Sequence, residues 1–216
     1  MKRIVILGAA GQIAKLAEPM LLKDENLQLV LFLRHPNKLN GMKFDQSRTE
    51  IMQGDVVNFD ELLPALKNAD LVYANLAGGN IEEQAKMVVK AMHTAKVKRL
   101  IWISSLGIYD EVPGKFGEWN KNILGNYLTT YRAAADVITE SDLDYTIIRP
   151  AWLTNKNEID YEKTVGAHTE FKGTEVSRKS VAAYVTSLIV APSVVDVRQN
   201  VGLDKPHTEG DKPAWY

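Results

Sequence analysis

Six short apolar runs, each followed by a change of pattern, constrain this chain more than any other feature. They read RIVIL, LQLVLFL, TEIMQG, ADLVYANLA, KRLIWISS and DYTIIRP. Several are continuous rather than alternating, as expected of strands covered by helices on both faces of a parallel sheet. Between them lie segments suited to helices: about Gly11 to Lys23, Phe59 to Lys67, Ile81 to Ala95 and about Ile123 to Glu140. In the Ile81–Ala95 segment, apolar residues fall at 81, 85, 88, 89 and 92, one face of a helix. This β-α alternation, with right-handed crossovers, predicts an α/β fold. It is a doubly wound parallel sheet of six to seven strands, ordered 3-2-1-4-5-6.

The pattern breaks in two places. A loop rich in glycine and charge follows the fifth run. After Pro150, residues 151–176 are polar and irregular, with one possible strand near Glu170 to Lys172. A helix is expected from Ser177 or Lys179 to Val190, stopped by Pro192, and the tail from Gly202 to Tyr216 has no periodicity. Without a repeat or a long linker, the 216 residues suit one domain, 1–216, in which 151–216 supply substrate-side loops, one helix and a tail.

Composition removes several function classes. A net charge of −1 leaves no electrostatic footprint for nucleic acid or an anionic membrane. The absence of cysteine removes disulfides, thiolate zinc sites and cysteine nucleophiles. The first apolar run, Ile4 to Leu7, is too short for a signal-peptide core, and no stretch approaches the ~20 apolar residues of a membrane span. The expectation is a soluble, cytoplasmic protein acting on a small molecule. A homodimer or a protein partner stays open. The histidines at 35, 93, 168 and 207 have no metal-binding spacing, and no metal is expected. His168 is a minor proton-donor candidate. No GxSxG elbow is present for a serine hydrolase.

The first strand runs into a turn, KRIVILGAAGQIA, that nearly matches a dinucleotide fingerprint. In such a fingerprint the first glycine makes the turn. The second admits the pyrophosphate, and the third permits close helix packing. Gly8 and Gly11 fill the first two slots and Ala14 the third. Ala10, Gly11, Gln12 and Ile13 would then bring backbone N–H groups to the phosphates at a helix N-terminus. The bland alternative is a turn of small residues kept for packing. The stretch is not a P-loop, since Gly-Lys-Ser/Thr is missing.

The end of the second strand bears on which dinucleotide binds. An acidic residue there would bond a ribose 2′-OH, but this strand ends in Arg34 and His35. A guanidinium suits a 2′-phosphate, so NADP(H) is expected over NAD(H), unless Arg34 is only a solvated strand end. Asp55, beside Val56 after the third strand, could accept from an adenine amino group or cap a helix. The run Asn75, Leu76, Ala77, Gly78, Gly79 ends the fourth strand, with small residues that allow close backbone approach to a cofactor.

Taken together, GAAGQIA, LFLRHPNKL, GDVVN, ISSLGIY, SDLDYTIIRPAWLT and VSRKSVAAYV resemble the short-chain dehydrogenase/reductase superfamily. They are most similar to its compact atypical members, the NAD(P)H-binding, NmrA-like and biliverdin/flavin-reductase-like proteins. The resemblance spans residue 4 to about 190 and implies a Rossmann-like domain. It implies that Ser105 bonds a substrate oxygen, with Tyr109, four residues on, as a second catalytic candidate. It further implies that Pro150, Ala151 and Trp152 line the nicotinamide. A strand-end serine and a core tryptophan are the plainer readings of Ser105 and Trp152.

One departure limits the chemistry. The superfamily's usual Tyr-x-x-x-Lys pair would fall at Leu128 and Arg132, so the resemblance implies that Arg132, in the slot of the lysine that holds the ribose, is a cofactor-binding residue. Tyr131 lies ~100° and Tyr127 ~140° around the helix from Arg132, so neither copies that pair on an undistorted helix. Arginine also stays protonated and cannot relay protons as lysine does. The expected function is therefore an NADP(H)-dependent oxidoreductase that holds the cofactor against a flat or conjugated acceptor, a flavin, quinone or enone. The alternatives are an NmrA-like, non-catalytic redox sensor and an NAD-dependent epimerase/dehydratase-like enzyme.

Overall fold

The computed structural model describes residues 1–191 and 193–216. Pro192, expected to stop a helix, lies outside the described residues. The chain begins β1 (Lys2–Leu7), α1 (Ala14–Leu21), β2 (Leu27–Leu33), β3 (Thr49–Gln53), α2 (Phe59–Ala65) and β4 (Leu71–Ala74). It continues α3 (Ile81–Ala95), β5 (Arg99–Ile103), α4 (Gly114–Leu124), α5 (Asn126–Thr139) and β6 (Asp144–Pro150). The remainder is β7 (Trp152–Thr154), β8 (Glu162–Val165), β9 (Glu175–Ser177), α6 (Arg178–Val190) and β10 (Gln199–Asp204).

The main sheet runs β3-β2-β1-β4-β5-β6-β10-β8, so the first six strands take the expected order. All pair in parallel, with Val5 opposite Val30 on one side and Val72 on the other. Two strands of the polar second half lengthen the sheet to eight. β10 pairs in parallel with β6, Val201 beside Ile148, and β8 pairs antiparallel with β10 at the edge. The tail from Gly202 is thus ordered at its start. It escaped notice because QNVGLD carries only two large apolar residues. No strand forms at Glu170 to Lys172; β8 and β9 flank that segment instead.

Side-chain alternation divides the interior in two. Ile4, Ile6, Leu29 and Leu31 face one layer, closed by α1 and α6. Val5, Leu7, Val30 and Phe32 face the other, closed by α2, α3 and α5. Both faces of β1 are dry, and its continuous apolar run follows from that.

The glycine-rich segment expected as a loop holds α4, and the helix expected from Ile123 starts only at Asn126. Glycine's poor helix propensity masked α4. Gly117 is required there all the same, because a β-carbon on it would collide with the Val112 carbonyl just before the helix. Gly125, at φ +49° and ψ −126°, breaks the chain between α4 and α5. α1 is likewise shorter than Gly11 to Lys23, since residues 11–13 belong to the turn before it.

Candidate functional site

The carboxyl ends of β1 to β4 open into a groove of about 320 Å³. It lies where strand order reverses between β1 and β4, the crevice in which open α/β sheets bind ligands. The floor is the turn Gly8 to Gly11. Gly8 has φ +76°, and a β-carbon there would collide with the Asn75 carbonyl oxygen. A β-carbon on Gly11 would collide with Asn75 Nδ2 and lie 3.0 Å from its Cγ. Only glycine lets the turn lie this close to the end of β4. The turn is held by Gly11 N–H donating to Gly8 O at 2.9 Å, and Tyr73 Oη meets Asn75 Oδ1 at 3.4 Å. No side chain caps the N-terminus of α1; the Lys15 amide donates to Gly11 O and those of Leu16 and Ala17 to Ile13 O, while the Ala10, Gln12 and Ile13 amides of the turn before it find no acceptor among the described residues. The glycine cradle and uncapped helix fit a pyrophosphate.

Nine of the expected cofactor residues line this groove. Gly8, Ala10 and Gly11 form the floor, Arg34, Asp55 and Val56 the far wall, and Asn75, Leu76 and Ala77 the near wall. Gln12, Ile13 and Gly78 do not line it. Gln12 is exposed, while Ile13 is buried in the core and leaves only its backbone for a ligand. At the far wall, Arg34 Nη1 lies 3.9 Å from Asp55 Oδ2, a loose surface pair. His35 and Lys38 join Arg34 along the same rim. Lys38 was missed, although its place in the basic run RHPNK was the available signal.

A second cavity, about 340 Å³, opens at the carboxyl ends of β5 and β6. It gathers Ser105, Pro150, Ala151 and Trp152, away from the dinucleotide groove but over neighbouring strands of the sheet. Ser105 Oγ donates to Leu106 O at 3.3 Å. Trp152 Nε1 donates to Asn120 Oδ1 at 2.9 Å, which fixes the indole. Asn120 packs so tightly on the turn that a β-carbon on Gly107, at φ +88°, would lie 2.5 Å from its Nδ2. Asn120, Arg178 and Trp215 also line the cavity. Arg178 and Trp215 come from the 151–216 segment expected on the substrate side and Asn120 from residues 110–120, also expected to shape the pocket; none was singled out by its own spacing.

Tyr127 also borders this cavity, within the first turn of α5 and just past the break at Gly125. Its ring stacks on Tyr131 at 3.9 Å. Burial, then the Tyr131 hydroxyl, raises its pKa, so it remains a protonated donor. Leu128, in the usual tyrosine slot, packs instead toward Gly107 and the interior.

Tyr109 and Arg132 line neither cavity. The Arg132 guanidinium lies over the Tyr109 ring at 4.4 Å, donates to Asp136 Oδ1 at 2.7 Å and reaches Ile108 O at 3.4 Å. The exposed His168 meets the edge of the same ring at 5.5 Å. Burial raises the Tyr109 pKa, and its hydroxyl finds no partner among the described residues. Below it, Arg149 pairs with Glu111 in the interior. These contacts make Tyr109 part of the packing under the loop, which corrects the expectation that it faces substrate.

Turn, groove and strand order define a dinucleotide-binding protein of the doubly wound class. The family model described as NAD(P)H-binding matches residues 8–192, and the chain belongs to that family. A Rossmann-fold NAD(P)-binding family protein from Shigella flexneri is 42% identical, with a TM-score of 0.85 over 99% of this chain and 98% of that one. A short-chain dehydrogenase/reductase from Veillonella parvula in complex with NADP is 30% identical, with a TM-score of 0.91 over 99% of each chain. An anaerobilin reductase from Escherichia coli O157:H7 shares the fold at 22% identity and a TM-score of 0.80, over 97% of this chain and 100% of that one. The chain thus has an NAD(P)H-binding, oxidoreductase-like fold with short-chain-type neighbours. No helix among the described residues is long and apolar enough to cross a membrane.

Proposed function

We propose that the protein is an NADPH-dependent reductase of a small, flat acceptor, working without the Tyr-x-x-x-Lys pair. One observation carries this: the dinucleotide groove and the aromatic-walled cavity open over consecutive strands of one sheet, β4 to β6. When bound, NADPH supplies a hydride, which with one solvent proton converts a quinone to a hydroquinone and leaves NADP⁺. The chain's own part is orientation. Gly8 and Gly11 admit the pyrophosphate, Trp152 presents an aromatic face to the acceptor, and the Ser105 hydroxyl exchanges its 3.3 Å bond to Leu106 O for one to the acceptor oxygen. Tyr127, kept protonated, offers a second hydrogen bond. An easily reduced acceptor needs no stronger acid.

The preference for the phosphorylated cofactor rests on Arg34, His35 and Lys38 along one rim, with no acidic residue at the end of β2. A 2′-phosphate would displace the loose Asp55 partner from Arg34. The test is NADPH oxidation against a panel of quinones, flavins and enones, together with NADPH and NADH affinities for wild type, Arg34→Ala and Lys38→Ala. Turnover well above the free-solution rate is expected. Arg34→Ala should lower the NADPH/NADH affinity ratio about tenfold, the worth of a charge-assisted contact. An unchanged ratio overturns the cofactor assignment. The seating of Leu128 in the tyrosine slot also favours a second reading, a non-catalytic NADP(H) sensor, marked by tight binding without turnover.

A further inference from the structure

The second cavity contains a cation, Arg178, that no carboxylate among the described residues neutralises. Arg178 opens α6 and lines the cavity, half-buried. Its Nη1 donates to Leu153 O at 3.3 Å and to Asn155 Oδ1 at 2.8 Å, both neutral acceptors. These anchor the guanidinium without balancing its charge. Burial alone pulls the guanidinium below its ordinary pKa, with no charged neighbour contributing. Arg149, by contrast, is closed by Glu111, and Lys156 by Glu175. A partly desolvated guanidinium without a counter-charge gains from an anion that reaches it.

The same cavity is also walled by aromatic rings. Trp152 and Trp215 face each other at 6.3 Å between ring centroids, with planes inclined at 56°. Trp119 backs Trp152 at 4.7 Å, and the Asn120 bond fixes its orientation. Trp215 is 51% exposed although it lines the cavity, so part of its ring is free to meet a ligand. A volume of about 340 Å³ is at the small end for ligand pockets.

We infer that the acceptor is a compact, planar conjugated ring that carries an anionic group, with the ring against Trp152 and Trp215 and the anion on Arg178. This rests on the reading of the cavity as the acceptor site. A guanidinium fork recognises carboxylate, sulfonate or phosphate by paired hydrogen bonds. The tryptophan faces supply the flat, apolar contact a conjugated ring needs.

A matched pair of probes tests it: 1,4-naphthoquinone and 1,4-naphthoquinone-2-sulfonate, reduced by the full chain with NADPH. The readout is the ratio of kcat/KM for the sulfonated over the neutral ring, compared between proteins, so that intrinsic reactivity cancels. Arg178→Gln should lower that ratio about tenfold, as for a lost charged hydrogen bond, and Arg178→Lys should restore part of it. Trp215→Ala should weaken both probes alike. A ratio that Arg178→Gln leaves unmoved overturns the inference. If neither quinone is reduced, the reductase reading fails, and the site is read separately by tryptophan quenching with 2-naphthalenesulfonate on NADP⁺-loaded protein. Binding weakened by Arg178→Gln then supports the site, and no binding overturns it.

Discussion

Glu111 and Arg149 form an ion pair in which neither side chain touches solvent. The carboxylate also accepts from the Gly107 and Tyr109 amides, each at 2.9 Å, and Arg149 donates to Gly166 O at 2.8 Å. The pair ties the loop after β5 to the end of β6, the two strand ends beneath the second cavity. Removing one charge strands the other in the interior. Glu111→Gln should therefore destabilise the fold by about 3–5 kcal/mol in urea unfolding. A midpoint within error of wild type would refute this.

The cofactor turn is predicted to respond asymmetrically to added bulk. Gly11→Ala collides with the Asn75 side chain, whereas Gly8→Ala collides with the Asn75 main chain and also carries φ +76°. Each single substitution should cost about 1–3 kcal/mol by overpacking. Adding Asn75→Ala should recover most of the loss for Gly11→Ala and little for Gly8→Ala. Thermal melts of the four variants decide the matter, and equal recovery at both positions would sink the idea.

Glu18 gives the fold a pH dependence of known sign. Burial pushes its carboxyl from 4.5 up to about 8, partly opposed by Lys15. Below pH 4.5 the folded and unfolded chains both hold the proton. Between 4.5 and about 8 only the folded chain keeps it, so this group's contribution falls as pH rises, then levels off. The total loss is on the order of a few kcal/mol. Glu18→Gln should be relatively more stable than wild type at pH 8.5 than at pH 4.5. Parallel stability curves for the two proteins across that range would refute the assignment.

Asn120 is expected to act on the acceptor side through Trp152. Asn120→Ala leaves the indole N–H without its 2.9 Å acceptor and releases the ring. The acceptor KM should rise several-fold, about the worth of one hydrogen bond, and by more than the NADPH KM. Equal changes in both constants would indicate a general loss of structure instead.

The dinucleotide half was legible because local rules govern it. β1 and β2 are buried on both faces and read as unbroken apolar runs, and Gly8 and Gly11 are fixed by a turn that begins a helix. The half that builds the second cavity was not. α4 forms with glycines at 114 and 117 against its own propensity, and β10 reaches β6 from some fifty residues away. Tyr127 borders the cavity while sharing unbroken α5 with Arg132, which lies outside it, so the helical register held and only the position of α5 on the sheet was hidden. Tyr109 sits at the superfamily's spacing from Ser105, yet two arginines and His168 enclose its ring.

The two cavities draw on separate stretches of chain. Among the described residues, those lining the dinucleotide groove lie between positions 8 and 84, and those lining the second cavity between 104 and 215. Substitutions that reshape the second cavity therefore need not pass through the dinucleotide half, nor the reverse. Over evolutionary time such a chain can exchange one specificity while inheriting the other intact, and a crossover between relatives at α3 would divide the molecule along that same boundary.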